Sequence, residues 1–179
     1  MIIIIIACFP VTIGRVVEMK VIDNFIKNKK VFKSIQNHLL GSYFPWYYNS
    51  KVASDSDTSD YYYNHILFNE GYQQSSYFKD VAEPILNLLK FNELLRVQVN
   101  CFQKKTKILE HKFHVDRSDS HMVALFYINT NNAYTLFKNG KKIKSVANRI
   151  IIFKGDQEHK SSAQTDTDIR VNVNINYRW

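Results

Sequence analysis

The sequence predicts a mostly β domain whose N-terminal helices buttress a β-sandwich or β-barrel. Before residue 92, apolar residues recur at helical spacing, whereas from Glu93 onward they alternate with polar residues, as in half-buried strands. The chain of 179 residues suits one compact domain with a substantial hydrophobic core. We therefore expect helices first and a largely antiparallel β structure after them.

Two helices are predicted in the N-terminal half. The second covers Ser76 to Lys90, where Pro84 favours a late start or a kink. Between the helices lies an aromatic and polar stretch, Ser42 to Tyr72, whose run Ser54 to Asp60 is expected to form a solvated loop. The first helix covers about residues 28–40, is closed by Gly41 and has apolar residues at helical spacing: Val31, Phe32, Ile35, Leu39 and Leu40.

The strands are predicted from alternation and from β-branched and aromatic content. Asn139-Gly140 is a two-residue hairpin signal between two of them. In the last strand Ile169 and Val171 are expected to face the helices, so that Arg170 points to the opposite face. After the run that starts at Glu93, the strands are Met122 to Asn129, Tyr134 to Lys138, Lys141 to Val146, Arg149 to Lys154 and Ile169 to Tyr177.

Residues 1–18 are interpreted as an N-terminal extension and residues 19–179 as a single domain, with 19–92 as helical support and 93–179 as the β core. The extension opens on an isoleucine run, Met1 to Phe9, which is too short to span a bilayer and lacks the positively charged start of a secretory signal. Either it packs as an edge strand or the functional chain begins at Met19. The cytoplasm is the expected location, or the host cytoplasm if a virus encodes the chain.

Charge and cysteine content restrict the possible functions. The net charge of +8 is compatible with nucleic acid, but the lysines lie in small scattered groups, which favours a basic surface that aids solubility. Cys8 and Cys101 are too few for a disulfide framework or a thiolate metal site. Any metal site must therefore use histidine and carboxylate ligands.

One group of residues has the pattern of such a site. His114 and Asp116 are two residues apart, so on an extended segment both side chains point to the same side. His159 follows a buried strand and a turn at Gly155, and it is the candidate third ligand. Two imidazoles and one carboxylate on one face leave coordination positions open, which suits non-haem iron(II).

Arg170 lies eleven residues beyond His159, on the last strand. An arginine buried in a sheet is costly unless an anion satisfies it, and its planar guanidinium matches a carboxylate bidentately. His111 and His121 could compete as ligands, but both are expected at the surface or in loops. Trp46, Tyr47 and Tyr48 are expected in the core rather than at a cavity mouth.

Over roughly Arg96 to Tyr177 the chain resembles the iron(II)- and 2-oxoglutarate-dependent dioxygenases, in particular their prolyl-hydroxylase-like branch with its small phage-type members. The resemblance implies a double-stranded β-helix core of the jelly-roll or cupin-like kind. His114-Val115-Asp116 matches the family's proximal metal ligands, and His159 matches its distal ligand. Arg170 matches the residue that pairs with the C5 carboxylate of 2-oxoglutarate.

The resemblance also nominates residues around this pocket. Tyr127, in the strand Leu125 to Asn129, is expected to bond the same C5 carboxylate. Phe102 stands where the family often has a tyrosine, so it lines the pocket without that hydrogen bond. Asn172 is expected to touch co-substrate or substrate. A glycine pair that commonly precedes the Thr-x-Phe strand is absent here.

The resemblance implies an enzyme that uses Fe(II), 2-oxoglutarate and O2, forms succinate and hydroxylates a C–H bond. The expected substrate is a peptide or protein side chain, such as proline, or a small molecule. Asp116 favours hydroxylation, because related halogenases have a small residue at that position. Two alternatives stay open: an oxygenase acting on nucleic acid, supported only by charge, and a cupin-like domain that binds metal without oxygen chemistry. The sequence specifies neither the substrate nor an oligomeric state.

Overall fold

Helices, a large sheet and a small sheet form three layers in the computed structural model of the chain, which describes residues 18–52 and 60–179. The helical elements are α1 (Lys29–Leu39), a π-helical turn (Phe78–Ala82) and α2 (Glu83–Leu86). The strands are β1 (Lys20–Ile22), β2 (Tyr47–Asn49), β3 (Tyr62–Asn69), β4 (Tyr72–Gln73), β5 (Glu93–Gln103), β6 (Met122–Tyr127), β7 (Tyr134–Phe137), β8 (Lys142–Lys144), β9 (Arg149–Lys154), β10 (His159–Ser161) and β11 (Ile169–Arg178).

The two sheets are antiparallel throughout. The large sheet has the order β1-β9-β6-β11-β5-β3-β2, with β4 paired to β3, and the small sheet has the order β10-β7-β8. In every pairing the neighbouring strands run in opposite directions. Two such sheets with a shared interior make a jelly roll. The predicted double-stranded β-helix core with flanking helices is therefore confirmed.

The central strand β6 is buried on both faces, because each face packs on a different layer. Ala124 and Phe126 belong to the hydrophobic cluster that includes Ile35 and Leu39 of α1. Val123, Leu125 and Tyr127 belong to a second cluster, together with Phe137 of β7 and Ile143 of β8. The alternation along one strand thus separates a helix-side core from an inter-sheet core.

Helix α1 begins and ends where the sequence predicts. The side-chain oxygen of Asn28 accepts hydrogen bonds from the backbone N–H groups of Lys30 and Val31, at 3.0 and 3.3 Å, which satisfies two donors at the helix start. After the helix, a Cβ atom at Gly41 would lie 2.5 Å from the carbonyl oxygen of Asn37. Only glycine fits this close approach, so the helix ends there.

Strand β11 has the predicted division of its faces. Val171, Val173 and Ile175 are buried in the cluster that packs on the helices. Arg170 and two asparagines of the opposite face line a cavity between the sheets. On the neighbouring β5, Cys101 also faces the helix layer, and burial raises the pKa of its thiol to about 12.

The second predicted helix, Ser76 to Lys90, is shorter than expected. Only residues 78–86 are helical, as a π-helical turn followed by one turn of α-helix. Pro84 lies in the first turn of α2 and has no backbone N–H to continue a preceding helix. The N–H of Glu83 instead bonds to the carbonyl of Phe78, and a new helix starts at the proline.

The aromatic stretch Ser42 to Tyr72 contains three strands that its composition does not reveal. Strands β2, β3 and β4 extend the large sheet within the region expected to give helical support. The register of β3 against β5 shifts between Ile66 and Phe68, and this irregularity breaks the alternation that predicts a strand. Of the predicted solvated loop, Ser54 to Asp60, residues 54–59 lie outside the described residues, whereas Asp60 is buried.

The predicted hairpin forms, but with a different turn. Strands β7 and β8 pair as expected, and the N–H of Gly140 bonds to the carbonyl of Phe137. Gly140 has φ +87°, whereas Asn139 does not have a positive φ. A type I′ turn needs positive φ at both central residues. The turn at Asn139-Gly140 is therefore not of type I′, and glycine is its only residue in the left-handed region.

The isoleucine run at the N-terminus lies outside the described residues, so its two interpretations stay predictions. Among residues 18–52 and 60–179, no helix is long and apolar enough to cross a membrane.

Truncation of one core leucine tests the helix-side core. Leu39 is fully buried against the sheet, whereas its neighbour Leu40 is 38% exposed. We expect Leu39→Ala to lower the free energy of unfolding by about 2–5 kcal/mol, because it leaves a cavity in a packed core. Leu40→Ala should change it by about 0.5 kcal/mol or less. Denaturant unfolding measures both, and equal losses would contradict the packing of α1.

Candidate metal and co-substrate site

A cavity of about 540 Å³ lies between the two sheets. Strands β3, β5 and β11 of the large sheet line one side, and β7 and β10 of the small sheet line the other. Because strand residues alternate, many side chains of β3, β5 and β11 opposite the helix-side core point toward this space. The cavity therefore collects the polar face of the large sheet.

His114, Asp116 and His159 meet at this cavity, with one ligand atom from each lying within 4.8 Å of the others. Two backbone hydrogen bonds, 2.9 and 3.0 Å long, join His114 to His159 in an isolated antiparallel bridge. The bridge puts the two imidazoles on the same side, with ring centroids 4.8 Å apart. An oxygen of Asp116 lies 3.7 and 3.8 Å from their Nε2 atoms.

Backbone carbonyls fix the orientation of both imidazoles. Nδ1 of His114 is 3.2 Å from the carbonyl oxygen of Lys112, and Nδ1 of His159 is 3.0 Å from that of Gln157. A carbonyl can only accept, so each Nδ1 is a donor, and Nε2 is the atom that faces the carboxylate of Asp116. Burial lowers the pKa of His159, against the opposing charge of Asp116. Neutral rings with free Nε2 atoms are the form that binds a metal.

Asp116 is buried, and two amides hold one of its oxygens. The side-chain N–H groups of Asn174 and Asn176 donate to Oδ2 at 2.9 and 3.0 Å, while Oδ1 lies toward the two histidines. Burial alone would raise the pKa of Asp116, but the charges of His159, Arg96 and His114 and the Asn174 amide bring it down to about 2. The carboxylate is therefore ionised and held in one orientation.

Arg170 is completely buried and only partly bonded. Its Nε donates to the hydroxyl of Ser145 at 3.0 Å, and its Nη1 donates to the carbonyl of Ser162 at 3.2 Å. Its Nη2 is buried and has no hydrogen-bond partner among the described residues. A buried cationic donor without a partner is costly, and a carboxylate in the cavity would satisfy it.

The three other nominated residues surround Arg170. The Phe102 ring lies against the guanidinium, 5.2 Å from its carbon, and lines the cavity. Tyr127 is fully buried, and its hydroxyl is hydrogen-bonded to that of Thr135 at 2.8 Å. Thr135 lines the cavity, whereas Tyr127 lies behind it. Asn172 also lines the cavity, and its side-chain oxygen accepts from Asn100 at 3.0 Å.

Two histidines expected at the surface or in loops lie in irregular segments, but both are buried. His111 is 3% exposed because Nδ1 bonds to the Ser161 hydroxyl at 2.7 Å and Nε2 lies 3.4 Å from a carboxylate oxygen of Asp60. His121 is 6% exposed and packs on Gly155, where a Cβ atom would lie 2.2 Å from its ring. Neither joins the group formed by His114, Asp116 and His159.

The expectation that Trp46, Tyr47 and Tyr48 belong to the core is wrong for the two tyrosines. Tyr47 and Tyr48 are 59% and 64% exposed, because β2 is the outermost strand of the large sheet. Trp46 is partly buried and packs on Phe44, with ring centroids 4.7 Å apart.

Three polar residues of the site carry roles that sequence reasoning did not assign. The alternation of β11 predicts that Asn174 and Asn176 share a face with Arg170, but not that both bond to Asp116. Arg96 lines the cavity at the start of the β5 alternation, four residues before Asn100. Because strand residues alternate, this even spacing from Asn100 is the sequence signal that places Arg96 on the cavity face of β5.

The donors present fit a divalent transition metal and a dicarboxylate. Two neutral imidazoles and one carboxylate make the facial set that suits non-haem Fe(II) and leave other positions free. The unpartnered Nη2 of Arg170 fits a carboxylate oxygen. Both features open into the same cavity.

Comparison with models of protein families and with curated protein sequences finds no match for this chain. Solved structures with the same fold do exist. A prolyl hydroxylase from Trichoplax adhaerens, in complex with a hypoxia inducible factor oxygen degradation domain peptide fragment, aligns with a TM-score of 0.61 and 13% identity over 89% of this chain and 83% of that one.

Two further structures are similar. A viral collagen prolyl hydroxylase from Paramecium bursaria Chlorella virus-1, in complex with 2OG, aligns with a TM-score of 0.57 and 13% identity over 90% of this chain and 96% of that one. A Pseudomonas putida prolyl-4-hydroxylase aligns with a TM-score of 0.57 and 10% identity over 90% and 92%. At these identities the likeness establishes the shared fold, the double-stranded β-helix.

Proposed function

We propose that this protein is an iron(II)- and 2-oxoglutarate-dependent oxygenase. His114, Asp116 and His159 are the proposed metal ligands, and Arg170 is the proposed partner of the C5 carboxylate of 2-oxoglutarate. One observation carries the proposal: the three donors converge within 4.8 Å at a cavity that is also lined by Arg170, a buried arginine whose Nη2 has no partner among the described residues. The fold shared with known prolyl hydroxylases supports it.

Each residue then has a defined task. The Nε2 atoms of the histidines and Oδ1 of Asp116 bind the metal from one side, and the amides of Asn174 and Asn176 keep that oxygen in place. Arg170, held by Ser145, orients the co-substrate from the far end of the cavity. Thr135 presents a hydroxyl beside it, positioned by Tyr127. Apolar Phe102 excludes water from the guanidinium.

When bound, the metal and 2-oxoglutarate supply oxidative decarboxylation with O2, giving succinate, carbon dioxide and oxidation of a substrate C–H bond. Hydroxylation is the proposed outcome, because Asp116 occupies the position that related halogenases leave open. A peptide or protein side chain or a small molecule is the proposed substrate. Prolyl residues are the first class to test, since the similar structures are described as prolyl hydroxylases.

Turnover of 2-oxoglutarate without substrate tests the proposal. With ferrous iron, the native protein should release succinate, and His159→Ala should release none because a metal ligand is lost. Arg170→Ala should bind iron but weaken the apparent affinity for 2-oxoglutarate by about 10- to 100-fold, the effect of losing a charge-assisted hydrogen bond of about 1.5–3 kcal/mol. Succinate formation and iron binding are measured for each variant.

His38→Ala is the matched control, because His38 lies on α1 away from the cavity and should leave turnover unchanged. Equal turnover in all variants would rule out the proposed site. Iron binding by the native protein without any succinate would instead favour a cupin-like metal-binding domain. Salt-dependent stimulation of turnover by DNA or RNA, without stimulation by peptides or small molecules, would favour a nucleic-acid substrate.

The amides that hold Asp116 give a second test. Asn174→Ala should weaken Fe(II) or Mn(II) binding by about 10- to 100-fold, because the loss of a residue that orients a ligand has effects of this size. Asn174→Asp replaces the donating amide with a carboxylate that repels Asp116, and it should weaken metal binding further. Metal titration of the purified protein measures both. Unchanged metal affinity in Asn174→Ala would mean that the amide does not orient Asp116.

A further inference from the structure

A second cationic group in the cavity has no assigned partner. Five arginines lie in the described residues, and Arg117, Arg149 and Arg178 each form an ion pair with a carboxylate. The other two, Arg96 and Arg170, line the cavity, and neither has a carboxylate within 4.0 Å among the described residues. The proposed co-substrate accounts for Arg170 but not for Arg96.

One donor of the Arg96 guanidinium is not bonded to the polar side chains around it. Its Nε is buried and has no hydrogen-bond partner among residues 18–52 and 60–179. The neighbouring polar residues on the same face of β5 satisfy one another: Gln98 donates to Asn100 at 2.6 Å, and Asn100 donates to Asn172 at 3.0 Å. Burying a cation's donor without a partner costs free energy, so the position suits an anion that arrives from solution.

The register of the strands places Arg96 at the metal end of the cavity. On β5, Phe102 pairs with Arg170 and Arg96 pairs with Asn176, which is one of the two amides bonded to Asp116. Six residues of extended strand separate Phe102 from Arg96, or roughly 20 Å. The two guanidinium groups therefore lie toward opposite ends of the cavity. The three proposed metal ligands lie nearer to Arg96 than to Arg170.

The rest of the lining agrees with an anionic guest. Among the described residues that line the cavity, Asp116 is the only carboxylate, and it is occupied by two amides. Tyr62, Asn64 and Gln98 add hydroxyl and amide groups to the lining of the cavity. A small polar molecule with a carboxylate matches this lining better than an apolar one.

We infer that Arg96 binds the carboxylate of the oxidised substrate, so that the substrate is a small carboxylic acid of amino-acid size whose reacting C–H bond lies within a side-chain length of its carboxylate. This inference rests on the proposed oxygenase function and names its substrate class. The planar guanidinium offers Nε and one Nη as a fork for two carboxylate oxygens. An anion fixed there holds the substrate beside His114, Asp116 and His159, while Arg170 holds the co-substrate at the other end.

A panel of free amino acids, each paired with its carboxamide, tests the inference. The measured quantity is succinate formation above the rate without substrate. At least one acid should raise the rate, and its carboxamide should have a KM at least tenfold higher. Arg96→Gln should raise the KM for the acid at least tenfold, and Arg96→Lys should have an intermediate effect, because it keeps the charge but loses the fork.

Arg178→Gln is the matched control, since Arg178 is an exposed, ion-paired arginine outside the cavity. Arg96→Gln should raise the KM for the acid more than the KM for 2-oxoglutarate. Arg170→Ala should raise the KM for 2-oxoglutarate more than the KM for the acid. The inference is wrong if acid and carboxamide are equivalent, if no acid raises turnover, if Arg96→Gln leaves the KM for the acid unchanged, or if the same residue inside a capped peptide is the better substrate.

Direct binding separates this inference from the proposed function. Calorimetric titration of the same acids and carboxamides into the Mn(II)-loaded protein reads affinity without turnover. If the native protein releases no succinate, the oxygenase proposal fails while Arg96 is still tested by the acid–carboxamide difference and its loss in Arg96→Gln. Equal affinity for both members of every pair overturns the role of Arg96, whatever the turnover shows.

Discussion

The candidate site depends on the backbone bridge between His114 and His159. His114 lies in an irregular segment between β5 and β6, while His159 starts a strand of the small sheet. Two main-chain hydrogen bonds tie these segments together, and they fix both imidazoles and, two residues on, Asp116. The bridge ties the loop donors to the small sheet, and the bonds from Asn174 and Asn176 to Asp116 tie them to β11, the strand that carries Arg170.

The large sheet supplies the second constraint, because alternate residues of each strand point to opposite faces of the sheet. One face of β11 and β5 is apolar and packs on the helices, and the other face lines the cavity with Arg170, asparagines and Arg96. After the hydrogen bonds between these amides, Nε of Arg96 and Nη2 of Arg170 are buried cationic donors without a partner among the described residues. The same alternation thus gives the fold its core and the cavity its chemistry.

The sequence allowed prediction of those features that follow a regular period. The helix at residues 29–39, the last strand and the facing of Arg170 rest on clear 3.6- or 2-residue patterns. Strand β3 was missed because its irregular register breaks the alternation. The burial of His111 was missed because its partners Asp60 and Ser161 lie 51 and 50 residues away. Such contacts depend on the tertiary fold, which no local pattern records.

Strand β5 also has a consequence for chemical durability. Cys101 lies between Asn100 and Phe102, yet its side chain is on the helix side of the sheet and theirs are on the cavity side. Thiols are oxidised mainly as thiolates, and burial keeps this one protonated. If the cavity activates dioxygen as proposed, the sheet separates Cys101, the one described cysteine, from the oxidising species formed there.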